Sequence, residues 1–224
     1  MTFSIAARCE KTGMFGVAVS SSSPAVAARC AYVRAGVGAV LSQNITDPRL
    51  GDRILDQLEQ GMGAEEAIAD ICHSSEHMQY RQLIAVDRHG GSFVFSGKNA
   101  LGNRGEAMGL NVASGGNLLA ADTIPQVLVD AFLSSEGLLA ERLLTAMQAA
   151  VDAGGEEGPI HSAGLKIAGK VSWPIVDLRV DWTDSCPVAE LAELWRIYEP
   201  QLDAYVTRAL NPSDAPSYGV PGDE

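Results

Sequence analysis

The sequence predicts an α+β fold in which antiparallel sheets carry helices on their outer faces. Blocks of short strand-like runs alternate with helical stretches along the chain. Two pairs of runs are joined by links short enough to make hairpins, and the helical stretches keep their apolar residues on one side, as a layer resting on a sheet requires. No repeat and no linker divides the 224 residues. We therefore expect one domain over residues 1–210 and a loose tail over residues 211–224, which is rich in Pro, Gly, Ser and Asp.

The elements follow in order. Residues 2–8 and 15–20 flank Cys9-Glu10-Lys11-Thr12-Gly13-Met14, a polar link containing glycine that reads as a hairpin and puts the amino terminus inside a sheet. Short strands are expected over residues 32–34 and 37–42, broken at Gly36. Leu50, Ile54 and Leu58 then line one helix face, and Ala67, Ile68 and Ile71 resume the pattern beyond Gly61 and Gly63, giving a broken helix or a pair. Residues 82–86 and 92–95 flank Asp87-Arg88-His89-Gly90-Gly91, a second hairpin, and residues 107–113 add a strand. Helices are expected over residues 124–133 and 138–151, the latter stopped by Gly154-Gly155, and strands over residues 162–167 and 175–180. An amphipathic helix closes the fold, with Val188, Leu191, Leu194, Trp195, Tyr198, Leu202, Tyr205 and Val206 in its stripe.

Composition excludes several functions. A net charge of −12 and a pI near 4.7 oppose binding to a phosphate backbone, and no basic run offsets them, so nucleic acid is not an expected partner. No apolar stretch approaches the length of a membrane span and no secretory signal is visible, so a cytoplasmic protein is expected. Cys9, Cys30, Cys72 and Cys186 are irregularly spaced and read as structural thiols. Walker and dinucleotide glycine motifs are absent, so no cofactor is expected.

The second residue carries the sharpest chemistry. Once Met1 is removed, Thr2 presents a hydroxyl and a free α-amine on one residue, and an amine with a pKa of about 7.7 to 8 can take the hydroxyl proton during attack on a carbonyl. With Met1 in place that pair does not exist. The same position also has a plain structural reading, because a β-branched residue suits a first strand. Ser4 is a lesser candidate, terminal only after further cleavage.

Several segments carry a family likeness. Thr2-Phe3-Ser4-Ile5-Ala6-Ala7-Arg8, Arg34-Ala35-Gly36-Val37-Gly38-Ala39-Val40, Gln82-Leu83-Ile84-Ala85-Val86-Asp87, Gly116-Asn117-Leu118-Leu119-Ala120 and Val176-Asp177-Leu178-Arg179-Val180-Asp181 resemble the family catalogued as domain of unknown function 1028. That family is regarded as similar to the N-terminal nucleophile (Ntn) hydrolases, so the resemblance implies a four-layer αββα sandwich. Proteasome-type peptidases of that superfamily have a lysine 32 residues after their threonine. Here Arg34 holds that spacing, and the resemblance gives it the task of biasing the Thr2 amine or anchoring substrate; a guanidinium cannot shuttle protons. Those enzymes also carry an aspartate near the end of the second strand, where this chain has Ser20-Ser21-Ser22-Ser23. Their Ser-Gly-Gly stretch is matched by Ser114-Gly115-Gly116, where Gly116 would bring a backbone N–H to an oxyanion and Asn117 would add a second donor. The alternative for this segment is a strand-to-helix turn.

Two further patterns are weaker. His73-Ser74-Ser75-Glu76-His77 fits the H-x-x-E-H zinc pattern but falls where a helix ends, and it reads as a solvated helix terminus with no metal. His161 reads as a structural residue that could pair with Asp177 or Asp181. The sequence thus points to an amide hydrolase with Thr2 as nucleophile and Arg34, Gly116 and Asn117 assisting. The expected partners are a small amide substrate and, optionally, further copies of the chain. The competing reading is a ligand-binding or assembly protein that keeps the fold without the chemistry.

Overall fold

The structure, a computed structural model, describes residues 1–222; the last two residues of the expected tail lie outside them. Six strands form the larger sheet, β1 (Thr2–Arg8), β2 (Phe15–Ser21), β7 (Gly105–Gly109), β8 (Val112–Asn117), β9 (Ser162–Ala168) and β10 (Pro174–Val180), in the order β10-β9-β2-β1-β8-β7. The smaller sheet runs β3-β4-β5-β6, from β3 (Ala31–Arg34), β4 (Gly38–Asn44), β5 (Arg81–Asp87) and β6 (Ser92–Ser96). Neighbouring strands pair antiparallel throughout.

Side-chain alternation along each strand divides the molecule into four layers. Phe3, Ile5 and Ala7 of β1 join a core with α4 (Ile124–Ser134), α5 (Leu139–Asp152) and α6 (Pro187–Tyr198). Ala6, with Phe15, Val17 and Val19 of β2, packs instead against Ala39, Leu41, Ile84 and Val86 of the smaller sheet. The opposite face of that sheet, including Val40, Leu83 and Ala85, buries Leu50, Ile54 and Leu58 of α2 (Arg49–Glu59) and Ala67, Ile68 and Ile71 of α3 (Ala64–Ser74). The result has the antiparallel sheets and outer helices that the element order predicts and the αββα layering that the family resemblance implies. Among the described residues no helix is long and apolar enough to cross a membrane.

Both hairpins form as expected, β1 with β2 and β5 with β6. Asp87 braces the second: its Oδ1 accepts from the backbone N–H of His89 at 2.8 Å and of Gly91 at 2.9 Å, while Oδ2 accepts from Ala64 N–H at 3.0 Å and so caps α3.

Three elements differ from the sequence reading. The short helix α1 (Ala27–Cys30) was not expected. The single closing helix is two, α6 and α7 (Leu202–Leu210), separated by a 3-10 turn over Glu199–Gln201 at Pro200, which lacks the N–H a continuous helix needs. The strand expected over residues 107–113 is a hairpin, β7 and β8, turning at Leu110-Asn111 with Asn111 at φ 66°. Its second strand carries Ser114-Gly115-Gly116-Asn117 into the sheet between β1 and β7.

Candidate active site

Thr2 opens β1, a central strand, and pairs with Asn117 of β8; Ser20 of β2 stands opposite Phe3. It shares the parity of Ser4 and Ala6, so its side chain faces the space between the sheets, where it is only 6% exposed. Thr2 Oγ1 donates to the Met1 carbonyl oxygen at 2.5 Å, and Ser21 Oγ donates to the same oxygen at 2.5 Å. The two hydroxyl oxygens are 3.5 Å apart. Ser23 Oγ lies 2.8 Å from Ser21 Oγ, and Ser23 N–H donates to Ser21 Oγ at 3.1 Å, fixing that hydroxyl from behind.

Beneath Thr2 a polar chain crosses from one sheet to the other. Ser4 Oγ donates to Gln43 Oε1 at 2.6 Å, and Gln43 Nε2 donates to Gln82 Oε1 at 2.7 Å and to the Gly115 carbonyl at 3.2 Å. Gln82 Nε2 donates to Ser96 Oγ at 2.8 Å and to the Gly116 carbonyl at 3.0 Å, while Asn117 Nδ2 donates to Gln82 Oε1 at 3.2 Å. Ser4, Gln43, Gln82 and Asn117 are all buried. A connected chain of this kind offsets the cost of burying amides and fixes their positions. It locks β1 and β8 to β4 and β5 and forms the floor of the site.

One carboxylate closes the opposite side. Glu156 lies in a segment tied to the residues just after β8: it bridges to Leu119, Ala120 N–H donates to the Gly155 carbonyl at 3.0 Å, and Glu157 N–H donates to the Leu118 carbonyl at 3.0 Å. Glu156 is 4% exposed; its Oε2 accepts from Ser22 N–H at 3.2 Å, and its Oε1 is buried without a partner. Burial pushes its carboxyl up to about 7, against the opposing pull of the Met1 ammonium and of the Ser22 N–H.

The residues expected from sequence divide. Thr2, Gly116 and Asn117 come together at one end of the β1–β8 ladder. Gly116 is a paired strand residue between Phe3 and Gly105 rather than part of a turn, and the Asn117 amide is committed to Gln82. A Cβ on Gly116 would lie 2.6 Å from Leu119 Cδ2, so a side chain there would have to displace the buried Leu119. Arg34 is the correction. Strand alternation places it with Tyr32 on the α2 side of β3, where Nη1 donates to Asp56 Oδ1 and Glu59 Oε2, each at 2.8 Å. The spacing of 32 residues does not bring it to Thr2, because β3 belongs to the other sheet and Arg34 faces that sheet's outer surface.

His161 meets neither expected aspartate; its Nδ1 lies 2.8 Å from the Thr183 carbonyl oxygen and its ring stacks on Trp182, while Asp177 pairs with Lys166 and Arg179. His73 sits in the last turn of α3 and His77 beyond it. Ser21, Gln43, Gln82 and Glu156 were not singled out. For Gln43 and Gln82 a signal existed, since each holds the inner-face position that Leu41 and Ile84 occupy two residues away. Glu156, inside Gly154-Gly155-Glu156-Glu157-Gly158, gave none.

The profile of a family described as "Family of unknown function (DUF1028)" matches residues 2–191. Among solved structures, a DUF1028 protein from Silicibacter pomeroyi is similar at 27% identity, with a TM-score of 0.82 over 88% of each chain. Anbu, an ancestral beta-subunit from Yersinia bercovieri, is similar at 11% identity and a TM-score of 0.40, covering 91% of this chain and 97% of its own. HslV from Trypanosoma brucei gives 11% identity and a TM-score of 0.43, over 75% of this chain and 99% of its own. No curated protein matches the sequence.

Proposed function

The chain belongs to the DUF1028 family, whose description assigns no reaction, and we propose that it is an amide hydrolase with Thr2 as its nucleophile. One observation carries this reading: the Thr2 hydroxyl lies against a carbonyl whose oxygen a second hydroxyl, that of Ser21, also holds. Those are the parts of an acyl transfer, a nucleophile and an oxyanion donor, set on a rigid strand.

Release of Thr2 from Met1 supplies the base. Thr2 Oγ1 then attacks the amide carbon of a substrate, its proton passing to the Thr2 α-amine, and Ser21 Oγ donates to the oxygen as it gains charge. The C–N bond breaks, the leaving nitrogen takes the proton, and the acyl group remains as an ester on Oγ1. Water, deprotonated by the same amine, hydrolyses the ester and restores the hydroxyl. A small amide is favoured over a protein substrate because Thr2 stands between the two sheets, 6% exposed with Met1 in place.

The engagement of Arg34 with α2 favours a second reading, a ligand-binding protein that keeps the architecture without turnover, because no lysine or arginine among the described residues hydrogen-bonds Thr2. Turnover of a panel of small amides by released wild-type and Thr2→Ala protein separates the two. The hydrolase reading expects hydrolysis of at least one amide by wild type and its loss in the mutant; equal rates, or none in either, favour the second.

A further inference from the structure

Met1 marks the room available to a substrate. An acyl group on Thr2 Oγ1 and one on Thr2 N are separated only by the N–Cα–Cβ–Oγ1 arc, so the residue bonded to the nitrogen outlines where an acyl group on the oxygen must fit. The Met1 carbonyl is held by Ser21. Its side chain runs over Gly158, where a Cβ would come 3.3 Å from Met1 Cε and 3.6 Å from Sδ. Its ammonium pulls electrostatically on Glu156 without forming an ion pair with it, and the second carboxyl oxygen of Glu156 is buried and has no partner. An orphaned carboxylate oxygen at 4% residue exposure needs a donor to offset its desolvation.

Building on the Thr2 reading, we propose that the pocket takes aminoacyl amides, namely amino acid amides or the amino end of a short peptide, with the α-ammonium at Glu156, the carbonyl at Ser21 and an unbranched apolar side chain over Gly158. Carried on Oγ1 rather than on N, the substrate ammonium supplies the donor that Glu156 Oε1 lacks and that the Met1 ammonium does not provide. Its charge also lowers the pKa of the neighbouring Thr2 amine and favours the neutral form that accepts a proton.

Calorimetry on released Thr2→Ala protein near pH 7 tests this without turnover, using L-methioninamide and N-acetyl-L-methioninamide. The free amine should bind tighter by about tenfold or more, the scale of a charge-assisted bond, and E156Q in the same background should remove the preference. Gly158→Val, which fills the space of the thioether, should weaken methioninamide relative to glycinamide and serves where E156Q does not fold. Equal or tighter binding of the acetylated ligand, or saturation by neither, overturns the proposal. Because the variant has no nucleophilic hydroxyl, these affinities stand or fall independently of the Thr2 mechanism.

Discussion

Ser21 and Thr2 converge on one atom: both hydroxyls donate to the Met1 carbonyl oxygen, each at 2.5 Å. Ser21 ends β2 and Thr2 begins β1, so the β1–β2 hairpin itself brings them together. The serine run at the end of β2 therefore places a hydroxyl donor on the Met1 carbonyl oxygen.

Ser21→Ala should lower kcat by about 10²-fold with a smaller change in KM, the scale of losing one oxyanion donor. Steady-state kinetics on a turned-over amide check this. An unchanged kcat would remove Ser21 from the chemistry.

Gln82→Leu should be among the costliest substitutions in the chain. It strips the acceptor from Gln43 Nε2 and Asn117 Nδ2 and the donor from Ser96 Oγ and the Gly116 carbonyl. At about 1–3 kcal/mol for each buried group left unpaired, urea unfolding should show a loss of ~3 kcal/mol or more. A loss below ~1 kcal/mol would mean the network relaxes or admits water.

Arg34→Met should leave turnover unchanged. Its ion pairs with Asp56 and Glu59 are half-exposed, and such pairs contribute about 0–1 kcal/mol, or a Tm change of only a few degrees. A shifted pH profile in this variant would show that the guanidinium reaches the Thr2 amine after all.

Glu156 gives stability a pH dependence. Its folded carboxyl titrates near 7 and its ordinary value is 4.5, so the folded chain holds a proton that the unfolded chain has released. The advantage is full below about 4.5 and is lost as pH rises through 7; a shift of that size corresponds to roughly 3 kcal/mol. Denaturant unfolding of the Met1-bearing protein should show this fall, and E156Q should lack it. Parallel curves would place the titration elsewhere.

Antiparallel sheets with helices on their outer faces, and both hairpins, were legible from the order of strand-like and helical runs; the four-layer arrangement was legible only through the family resemblance. The place of Thr2 at the start of an inner strand was legible from the first hairpin. The strand β8 was not, since Ser114-Gly115-Gly116-Asn117 has the composition of a turn. Its glycines serve close packing instead: a Cβ on Gly115 would lie 3.2 Å from Ile84 Cδ1, and one on Gly116 would strike Leu119. Arg34 misled because spacing along a chain says nothing of which sheet a strand joins or which face a side chain takes. Glu156 became visible only in three dimensions, where the segment after α5 pairs with the residues following β8.

The most direct test of the account is to treat released protein with a β-lactone, which acylates N-terminal nucleophiles, and to map the adduct by peptide mass spectrometry. A Thr2 nucleophile requires loss of Met1, one adduct located on Thr2, and no adduct on Thr2→Ala. Retained Met1 on protein made without a tag, or an adduct on any other residue with Thr2 unmodified, would contradict it.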